Sequence, residues 1–332
     1  MPQPTVADIG ELALLRRLQP FCAKNLLGDD AAVLSPRSQS QVITTDVLVD
    51  GVHFSDRTTP PKAVGWRAIA ANLSDLAAMG ALPVGVTVGL ALPGDTPVAW
   101  VEGVYRGMAD CLNAHGGQII GGDLVRSPQK MLSITALGEV APRRVIRRDR
   151  ARPGQVILAT GWHGLSRAGL ELLWHPEQQQ DLPAADCEAL IQAHQHPVPR
   201  LDIIQQLAGW GDDELSAIAG MDSSDGLANA VLWLCQSSGV GARLRRSQLP
   251  ILPPLTAWLG EQTALDWCLY GGEDFELVLC LSANPAQKLL AALGPGASII
   301  GTIETDPQVL LIDNASPQPD LTLTWDNCFQ HF

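Results

Sequence analysis

Residues 41–92 read QVITTDVLVDGVHFSDRTTPPKAVGWRAIAANLSDLAAMGALPVGVTVGLAL, and their pattern indicates a class of fold. The β-branched run at 41–49 predicts a strand, and a similar run at 84–92 predicts another. Between them, the alanine-rich segment from Pro61 to Gly80 predicts a long helix. Strands that alternate with helices are typical of domains in which helices cover a sheet.

The residues on both sides of this stretch continue the alternation. We expect a short amphipathic helix over 8–18, because its apolar residues recur at helical spacing. The other predicted elements are a strand ending at 28–34, a helix over 97–115, a strand leading into GGD (121–123) and a strand over 131–140. Together these elements predict an N-terminal α+β domain.

The pattern changes at residues 142–154, PRRVIRRDRARPG, which contain six arginines and no apolar period. Polar stretches with proline and glycine are typical of domain boundaries. We therefore predict two domains, over 1–149 and 150–332, and the length of 332 residues also favours two. In the second, strands are predicted over 155–161, 216–222, 275–281 and 298–303. Ser224 or Asp225 is predicted to cap the helix that follows Asp222.

Composition excludes several classes of protein. A net charge of -13, with only 22 lysines and arginines, disfavours nucleic acid as a partner, because its phosphates need a basic surface. The apolar segments are too interrupted for a membrane-spanning helix, and residues 1–8 lack the pattern of a secretory signal. We therefore expect a cytoplasmic protein. The seven cysteines form no C-x-x-C pair, which argues against a zinc site or a disulfide framework.

Short acidic motifs recur where the chain also carries glycine, serine or threonine, and we expect them at strand ends. They are GDD (28–30), TTD (44–46), NLSD (72–75), GGD (121–123) and MDSSDG (221–226). Each alone is typical of a turn or a helix cap. Together they predict a magnesium site, since carboxylate and hydroxyl oxygens are the ligands that Mg²⁺ prefers. Asp75 favours this interpretation most, because it interrupts an apolar helix.

Phosphate recognition cannot use the usual glycine-rich loops, because neither G-x-x-x-x-G-K-[ST] nor a G-x-G-x-x-G after a strand occurs. Arg147 and Arg148 are candidates for phosphate contacts, with a solvated basic linker as the alternative. The carboxylate of Glu273, before a predicted strand, either contacts a ligand or lies in a charged turn. His53 either binds a phosphate or is a structural histidine.

Seven motifs, taken in order, resemble those of the thiamine-monophosphate kinase family. They are GDDAAV, TTDVLVDGVHF, NLSDLAAMGA, IIGGDLVRS, DSSDGL, GGEDFEL and a terminal aromatic-x-HF. The resemblance runs from about residue 8 to Phe332. It extends to the superfamily that also contains aminoimidazole ribonucleotide synthetase, selenophosphate synthetase and a hydrogenase maturation protein.

This resemblance implies ATP-dependent phosphorylation of thiamine monophosphate to thiamine diphosphate, the last step of thiamine diphosphate biosynthesis. It implies several Mg²⁺ ions, ATP as co-substrate and a homodimer, and it leaves a requirement for K⁺ open. The implied fold has an N-terminal α+β domain, whose sheets form a barrel across the dimer, and a C-terminal α/β domain.

Roles for individual residues are carried over by motif. The implied magnesium ligands are Asp30, Thr44, Thr45, Asp46, Asp75, Asp123, Asp222 and Asp225. The implied ATP contacts are Tyr105, Gly121, Gly122, Arg148 and Ser224, and the implied substrate contacts are His53, Glu273 and Phe329. A carboxylate and an aromatic face suit a cationic thiazolium ring. The sequence departs from the family at Ser223, where an aliphatic residue is usual, and at Phe329, where tyrosine or tryptophan is expected.

The acceptor in this reaction is already an anionic phosphate, so no general base is required and no covalent phosphoenzyme is expected. Asp46 and Asp75 are predicted to be the most critical residues. Two alternatives stay open: a sister enzyme of the superfamily with another acceptor, and a non-catalytic sensor of magnesium and nucleotide. Cys22 lacks a glycine-rich setting and the chain ends in Phe332 rather than cysteine, which disfavours two of the sister enzymes.

Overall fold

The structure is a computed structural model that describes residues 4–23, 38–313 and 320–329. Contacts divide the chain into two units. The first comprises Met1–Leu76 and Ala81–Pro142, and the second comprises Ala77–Gly80 and Arg143–Phe332. The division after Pro142 falls in the same arginine-rich stretch as the boundary predicted from the sequence, which itself remains a prediction. The predicted strand ending at 28–34 lies outside the described residues.

The first unit contains helices and strands in alternation, as the sequence predicts. Its helices are α1 Val6–Ile9, α2 Glu11–Leu18, α3 Pro61–Ala78 and α4 Val98–His115, and its strands are β1 Ser40–Val49, β2 Leu82–Leu92, β3 Ile119–Arg126 and β4 Met131–Val140. The single helix predicted over 8–18 is wrong, because Gly10, with φ of 74°, separates α1 from α2. Thr5 and Asp8 cap α1 by a reciprocal pair of hydrogen bonds.

Four strands form the sheet of this unit in the order β1-β4-β2-β3. Strand β4 is antiparallel to β1 and to β2, whereas β3 is parallel to β2. Every second residue of β4 from Leu132 to Val140 is buried. The opposite face exposes apolar side chains, and we call it the open face. It carries Ile43 (63% exposed), Val47, Leu82, Val125 and Met131.

Helices α3 and α4 pack closely through glycine. A Cβ atom on Gly65 would overlap the carbonyl oxygen of Val104, and one on Gly107 would overlap that of Lys62. Because only glycine permits this approach, these positions hold α3 at a fixed distance from α4. The polar residues of α3 are therefore carried on a rigid element.

The second unit is built on a seven-stranded sheet in the order β11-β10-β7-β9-β5-β8-β6. Its strands are β5 Val156–Ala159, β6 Ala219–Asp222, β7 Gly241–Arg245, β8 Leu277–Leu281, β9 Ser298–Glu304, β10 Val309–Ile312 and β11 Leu321–Thr322. Its helices are α5 Leu165–Trp174, α6 Ala184–Gln195, α7 Leu201–Leu207, α8 Asp212–Ser216, α9 Leu227–Ser238, α10 Pro253–Leu259, α11 Glu261–Tyr270 and α12 Ala283–Ala292. This half mixes strands with helices, as the sequence predicts.

The expectation that the acidic motifs lie at strand ends is correct only for MDSSDG, whose Asp222 ends β6. TTD lies inside β1, NLSD lies inside α3 and GGD lies inside β3. The GDD motif is outside the described residues. The predicted cap of α9 is also wrong, because the N-cap is Gly226, whose φ of 103° suits glycine.

Candidate functional site

In the first unit, β1 and α3 bring three of the predicted metal ligands together. Thr44 and Asp46 are two residues apart on β1, so their side chains share a face. The hydroxyl of Thr44 donates a hydrogen bond to Oδ2 of Asp75 on α3. Oδ1 of Asn72, one turn earlier on α3, accepts a hydrogen bond from the backbone N–H of Asp46 at 3.3 Å. The two carboxylates therefore lie on the face of β1 that meets α3.

Thr45 and Asp123 lie on the other face of the sheet. The hydroxyl of Thr45 is 2.8 Å from that of Thr135 on the neighbouring strand β4. Asp123 is exposed and pairs in register with Gly89, which in turn pairs with Ser133 on the same open face. These two predicted ligands are thus not brought together with Asp75, and their metal roles remain predictions. Asp30, a further predicted ligand, lies outside the described residues.

Gly121 and Gly122, the predicted ATP contacts on β3, differ in what they require. A Cβ atom on Gly122 would overlap the carbonyl oxygen of Val88, so glycine is needed for β3 to approach β2. A Cβ atom on Gly121 would lie 3.6 Å from the side chain of Thr87, an ordinary contact. Gly122 therefore has a structural reason to be glycine, whereas Gly121 has none among the described residues.

His53 follows β1 and is half-buried. Its Nδ1 accepts a hydrogen bond from the backbone N–H of Val49 at 3.1 Å. In the neutral ring the proton must then be on Nε2, which is a donor. A donor in this position suits a phosphate oxygen better than it suits a metal ion. The buried side chain of Arg67 donates to the carbonyl oxygen of His53 at 3.4 Å.

Tyr105 is buried on α4, and its ring centroid is 6.3 Å from that of Phe21. Burial raises the pKa of its hydroxyl well above the ordinary value. The ring is therefore a packed aromatic side chain, and its predicted ATP contact remains a prediction.

In the second unit, the loop after β6 gathers Asp222, Ser223, Ser224 and Asp225. Asp222 is buried and its Oδ1 accepts a hydrogen bond from the hydroxyl of Ser224 at 3.3 Å, whereas Asp225 is exposed. Buried Ser223, the departure from the family pattern, has its hydroxyl 2.9 Å from Nε2 of His163 and 3.1 Å from the carbonyl oxygen of Glu276. A hydroxyl at this position is therefore satisfied by polar neighbours.

His163 is fully buried, and this burial lowers its pKa to about 4. The ring is thus neutral near pH 7. Its Nδ1 is 3.0 Å from the carbonyl oxygen of Gly161, so the proton is on Nδ1 and Nε2 accepts from Ser223. Through this contact His163 holds Ser223 in place between Asp222 and Ser224.

The turn at 271–275 contains Glu273, a predicted substrate contact, in the left-handed region with φ of 58°. Its backbone N–H donates to the carbonyl oxygen of Ser224 at 2.6 Å, so this turn and the MDSSDG loop are joined. The carboxylate of Asp274 accepts hydrogen bonds from the backbone N–H groups of Gly164 and Ser166 at 2.7 and 2.9 Å. Desolvation raises the pKa of Asp274 to about 7, although these donors act to lower it.

Arg147 and Arg148, the two candidates for phosphate contacts, have different surroundings. Arg147 forms an ion pair with Asp149 at 2.6 Å. Arg148 is exposed, forms no ion pair among the described residues, and its guanidinium carbon lies 5.9 Å from the ring centroid of Trp233. Arg148 is therefore the one of the two whose charge is available to a phosphate. Phe329, the predicted aromatic contact, is 51% exposed.

The donor chemistry of these residues fits Mg²⁺, because they supply carboxylate and hydroxyl oxygens and no sulfur ligand. Within the described residues, however, no group of three or more histidine, cysteine, aspartate or glutamate side chains is arranged to hold a metal ion. Asp46, Asp75 and Thr44 would thus supply part of a coordination shell, which substrate oxygens and water would complete. None of the described helices has the length and apolar character of a membrane-spanning segment.

The sequence assigned no role to His163, Asn72 or Trp233. A lone histidine between glycines carries no pattern, and a tryptophan at helical spacing indicates a core residue. Asn72 had a signal, since a polar amide inside an apolar helix needs a partner. The partner of Asn72 is the backbone N–H of Asp46 on β1. The proximity of this strand to α3 is evident only once the order of the strands is known.

Comparison with known proteins adds to this geometry. Residues 28–140 match the AIR synthase related protein N-terminal domain, and residues 152–314 match the corresponding C-terminal domain. The thiamine-monophosphate kinase of Synechococcus elongatus is 48% identical over 334 residues, covering 100% of this chain and 99% of the relative. The chain belongs to the thiamine-monophosphate kinase family.

Solved structures of this family have the same fold. The thiamine-monophosphate kinase of Stenotrophomonas maltophilia superimposes with a TM-score of 0.77 at 34% identity, covering 93% of this chain and 98% of that one. AaThiL complexed with AMPPCP and TMP superimposes with a TM-score of 0.73 at 31% identity, covering 95% and 96%. The two-domain α+β and α/β fold expected from the sequence is confirmed.

Proposed function

We propose that the protein transfers a phosphoryl group from ATP to thiamine monophosphate and forms thiamine diphosphate. The observation that carries this proposal is 48% identity to a thiamine-monophosphate kinase over the whole chain, which spans both domains. The juxtaposition of Thr44, Asp46 and Asp75 supports it, because it supplies oxygen donors of the kind that Mg²⁺ needs. The proposal includes several Mg²⁺ ions and a cytoplasmic location.

Bound Mg²⁺ would neutralise charge on the transferring phosphoryl group. The protein side chains would align donor and acceptor, which is the larger part of the task because the acceptor phosphate is already anionic. His53 would donate from Nε2 to a phosphate oxygen, and Arg148 would contact the nucleotide phosphates. Glu273 would place a carboxylate near the cationic ring of the substrate. No side chain needs to remove a proton.

A coupled assay for ADP release with ATP, Mg²⁺ and thiamine monophosphate tests the proposal. We expect ADP release that depends on thiamine monophosphate, and little release with thiamine, which lacks the acceptor phosphate. Release with a different phosphate acceptor only would indicate a sister enzyme. Nucleotide binding without any ADP release would indicate a non-catalytic sensor. The same assay with and without K⁺ decides whether a monovalent ion is needed.

Arg148 and Arg147 form a matched pair for testing the nucleotide contact. Arg148→Gln should raise the KM for ATP about tenfold, because it removes a charge that no described residue neutralises. Arg147→Gln should change that KM less than about twofold, since Arg147 is already paired with Asp149. Steady-state kinetics at saturating thiamine monophosphate measure both. Equal effects of the two substitutions would contradict the assignment.

We also propose a homodimer that covers the open face. Exposed apolar side chains on one sheet face favour association, because burying them removes apolar surface from water. Ile43→Arg should therefore convert the dimer to a monomer in sedimentation equilibrium. Val198→Arg, at an apolar position that is 53% exposed in the second unit, should leave the mass unchanged. A wild-type protein that sediments as a monomer would refute the dimer.

A further inference from the structure

The turn at 271–275 carries backbone strain at several positions. Gly272, Glu273 and Phe275 all have positive φ, of 67°, 58° and 51°. For glycine this costs little, but for glutamate and phenylalanine the left-handed region is unfavourable. Strain of this kind persists only where the surrounding structure holds the backbone in place.

A backbone hydrogen bond, a buried side chain and an anchored carboxylate hold the turn at 271–275 in place. The N–H of Glu273 donates to the carbonyl oxygen of Ser224, and a Cβ atom on Gly272 would lie only 2.8 Å from the same oxygen. Phe275 is buried. Between Glu273 and Phe275, the partly buried carboxylate of Asp274 accepts hydrogen bonds from the backbone N–H groups of Gly164 and Ser166.

The backbone donors at the start of α5 favour the carboxylate form of Asp274, although desolvation opposes them. Gly164 is the N-cap of α5, and the N–H groups at the start of a helix have no partner within it. A carboxylate there satisfies these donors and interacts with the positive end of the helix dipole. Helix α5 has ten residues and packs against α6, so the anchor belongs to a rigid element.

We propose that Asp274 is a positioning residue, which fixes the backbone of Glu273 and so directs its carboxylate toward the cationic ring of the substrate. This inference rests on the proposed function, in which Glu273 contacts thiamine monophosphate. Glu273 is held on one side by its own N–H and on the other by the anchored side chain that follows it. Its backbone therefore cannot relax to a negative φ without breaking one of these attachments.

Asp274→Asn tests the role, because the amide keeps the shape but presents an NH₂ group to one of the two N–H donors. We expect the KM for thiamine monophosphate to rise on the order of tenfold, with kcat and the KM for ATP within about twofold. Glu276→Gln is the matched control, since it removes the charge of a carboxylate two residues further on that bonds Thr160 and Arg200 rather than α5. The control should lower the melting temperature without raising that KM.

A double-mutant cycle separates positioning from general damage to the fold. In the Glu273→Gln background, Asp274→Asn should add less than about twofold to the KM for thiamine monophosphate, because the carboxylate that it positions is already absent. An equal KM increase in both backgrounds would overturn the proposal. Asp274→Ser, which retains one acceptor for α5, should have an intermediate KM and serves if the asparagine variant does not fold.

Amide hydrogen exchange gives a readout that needs no substrate. The N–H of Glu273 should exchange at least about tenfold faster in Asp274→Asn than in the wild type, because the turn loses an anchor. Unchanged exchange at this amide would overturn the positioning role even if the wild type is active. A wild type that releases no ADP with thiamine monophosphate would instead refute the proposed function, while the exchange result would still decide whether Asp274 holds the turn.

Discussion

Asp75→Asn is expected to lower kcat by about three orders of magnitude and to leave the melting temperature within a few degrees of the wild type. Asparagine has the size of aspartate and its side-chain oxygen can still accept the hydrogen bond from Thr44. The fold therefore loses little. The variant loses a negative charge where α3 meets β1, on the strand face that also carries Asp46.

The large effect follows from the chemistry proposed for this face. A carboxylate that faces both a metal ion and a phosphoryl group in transfer contributes most in the transition state, when charge on the phosphoryl oxygens is redistributed. Loss of such an interaction reduces kcat and kcat/KM together. If Asp75 served only to hold Thr44 in place, asparagine would be nearly as good.

Asp110→Asn is the matched control for this substitution. It removes the same charge from the same unit, but Asp110 lies on the surface of α4 and forms an exposed ion pair with Lys62 at 2.7 Å. Its kcat should be within about twofold of the wild type, since such pairs contribute little. ADP-release kinetics and thermal melting followed by circular dichroism measure both variants. Turnover of Asp75→Asn within tenfold of the wild type would contradict the catalytic role.

Local sequence patterns predict the elements that carry this face. The β-branched run at 41–49 becomes β1, and the alanine-rich segment becomes α3, which ends two residues before the predicted Gly80. Period-two alternation along β1 also implies that Thr45 faces away from Thr44 and Asp46. The family resemblance groups all three as ligands, and only the strand geometry separates them.

Long-range contacts are what the sequence does not reveal. The bond between Ser223 and His163 joins residues 60 positions apart, and the anchor of Asp274 joins residues 108 and 110 positions apart. No periodicity links such positions, because their proximity depends on the order of strands in the second sheet. For the same reason the sequence shows Asp274 only as a charged residue in a turn. The residue pattern alone leaves Arg147 and Arg148 equivalent, and the family resemblance selects Arg148. The ion pair of Arg147 with Asp149 gives a physical reason for the difference.

Arg200→Met is expected to lower the free energy of unfolding by about 3 to 5 kcal/mol. Nη1 of Arg200 donates to Oε2 of Glu276 and, at 2.7 Å, to the carbonyl oxygen of Thr160. Only 13% and 15% of the arginine and glutamate side chains are exposed. Methionine fills a similar volume, so the main loss is that a largely desolvated carboxylate has no cation beside it.

The free energy of unfolding that Arg200→Met loses should depend on pH. Burial raises the pKa of Glu276, and Arg200 opposes that effect, so removing the arginine raises the pKa further. A carboxyl whose pKa is higher in the folded state than in the unfolded state destabilises the fold as pH rises through that range. The difference in free energy of unfolding between the wild type and Arg200→Met, measured by urea denaturation, should therefore be smaller at about pH 5 than at about pH 8.

Two further variants distinguish a broken pair from lost packing. Arg17→Met removes an exposed ion pair with Glu102 and should cost less than about 1 kcal/mol. In Arg200→Met/Glu276→Met both charges are gone, and more than half of the lost stability should return, because a buried pair can be replaced by apolar groups at little cost. A double variant as unstable as Arg200→Met would show that Arg200 stabilises the fold through Thr160 and Asp202 rather than by compensating the charge of Glu276.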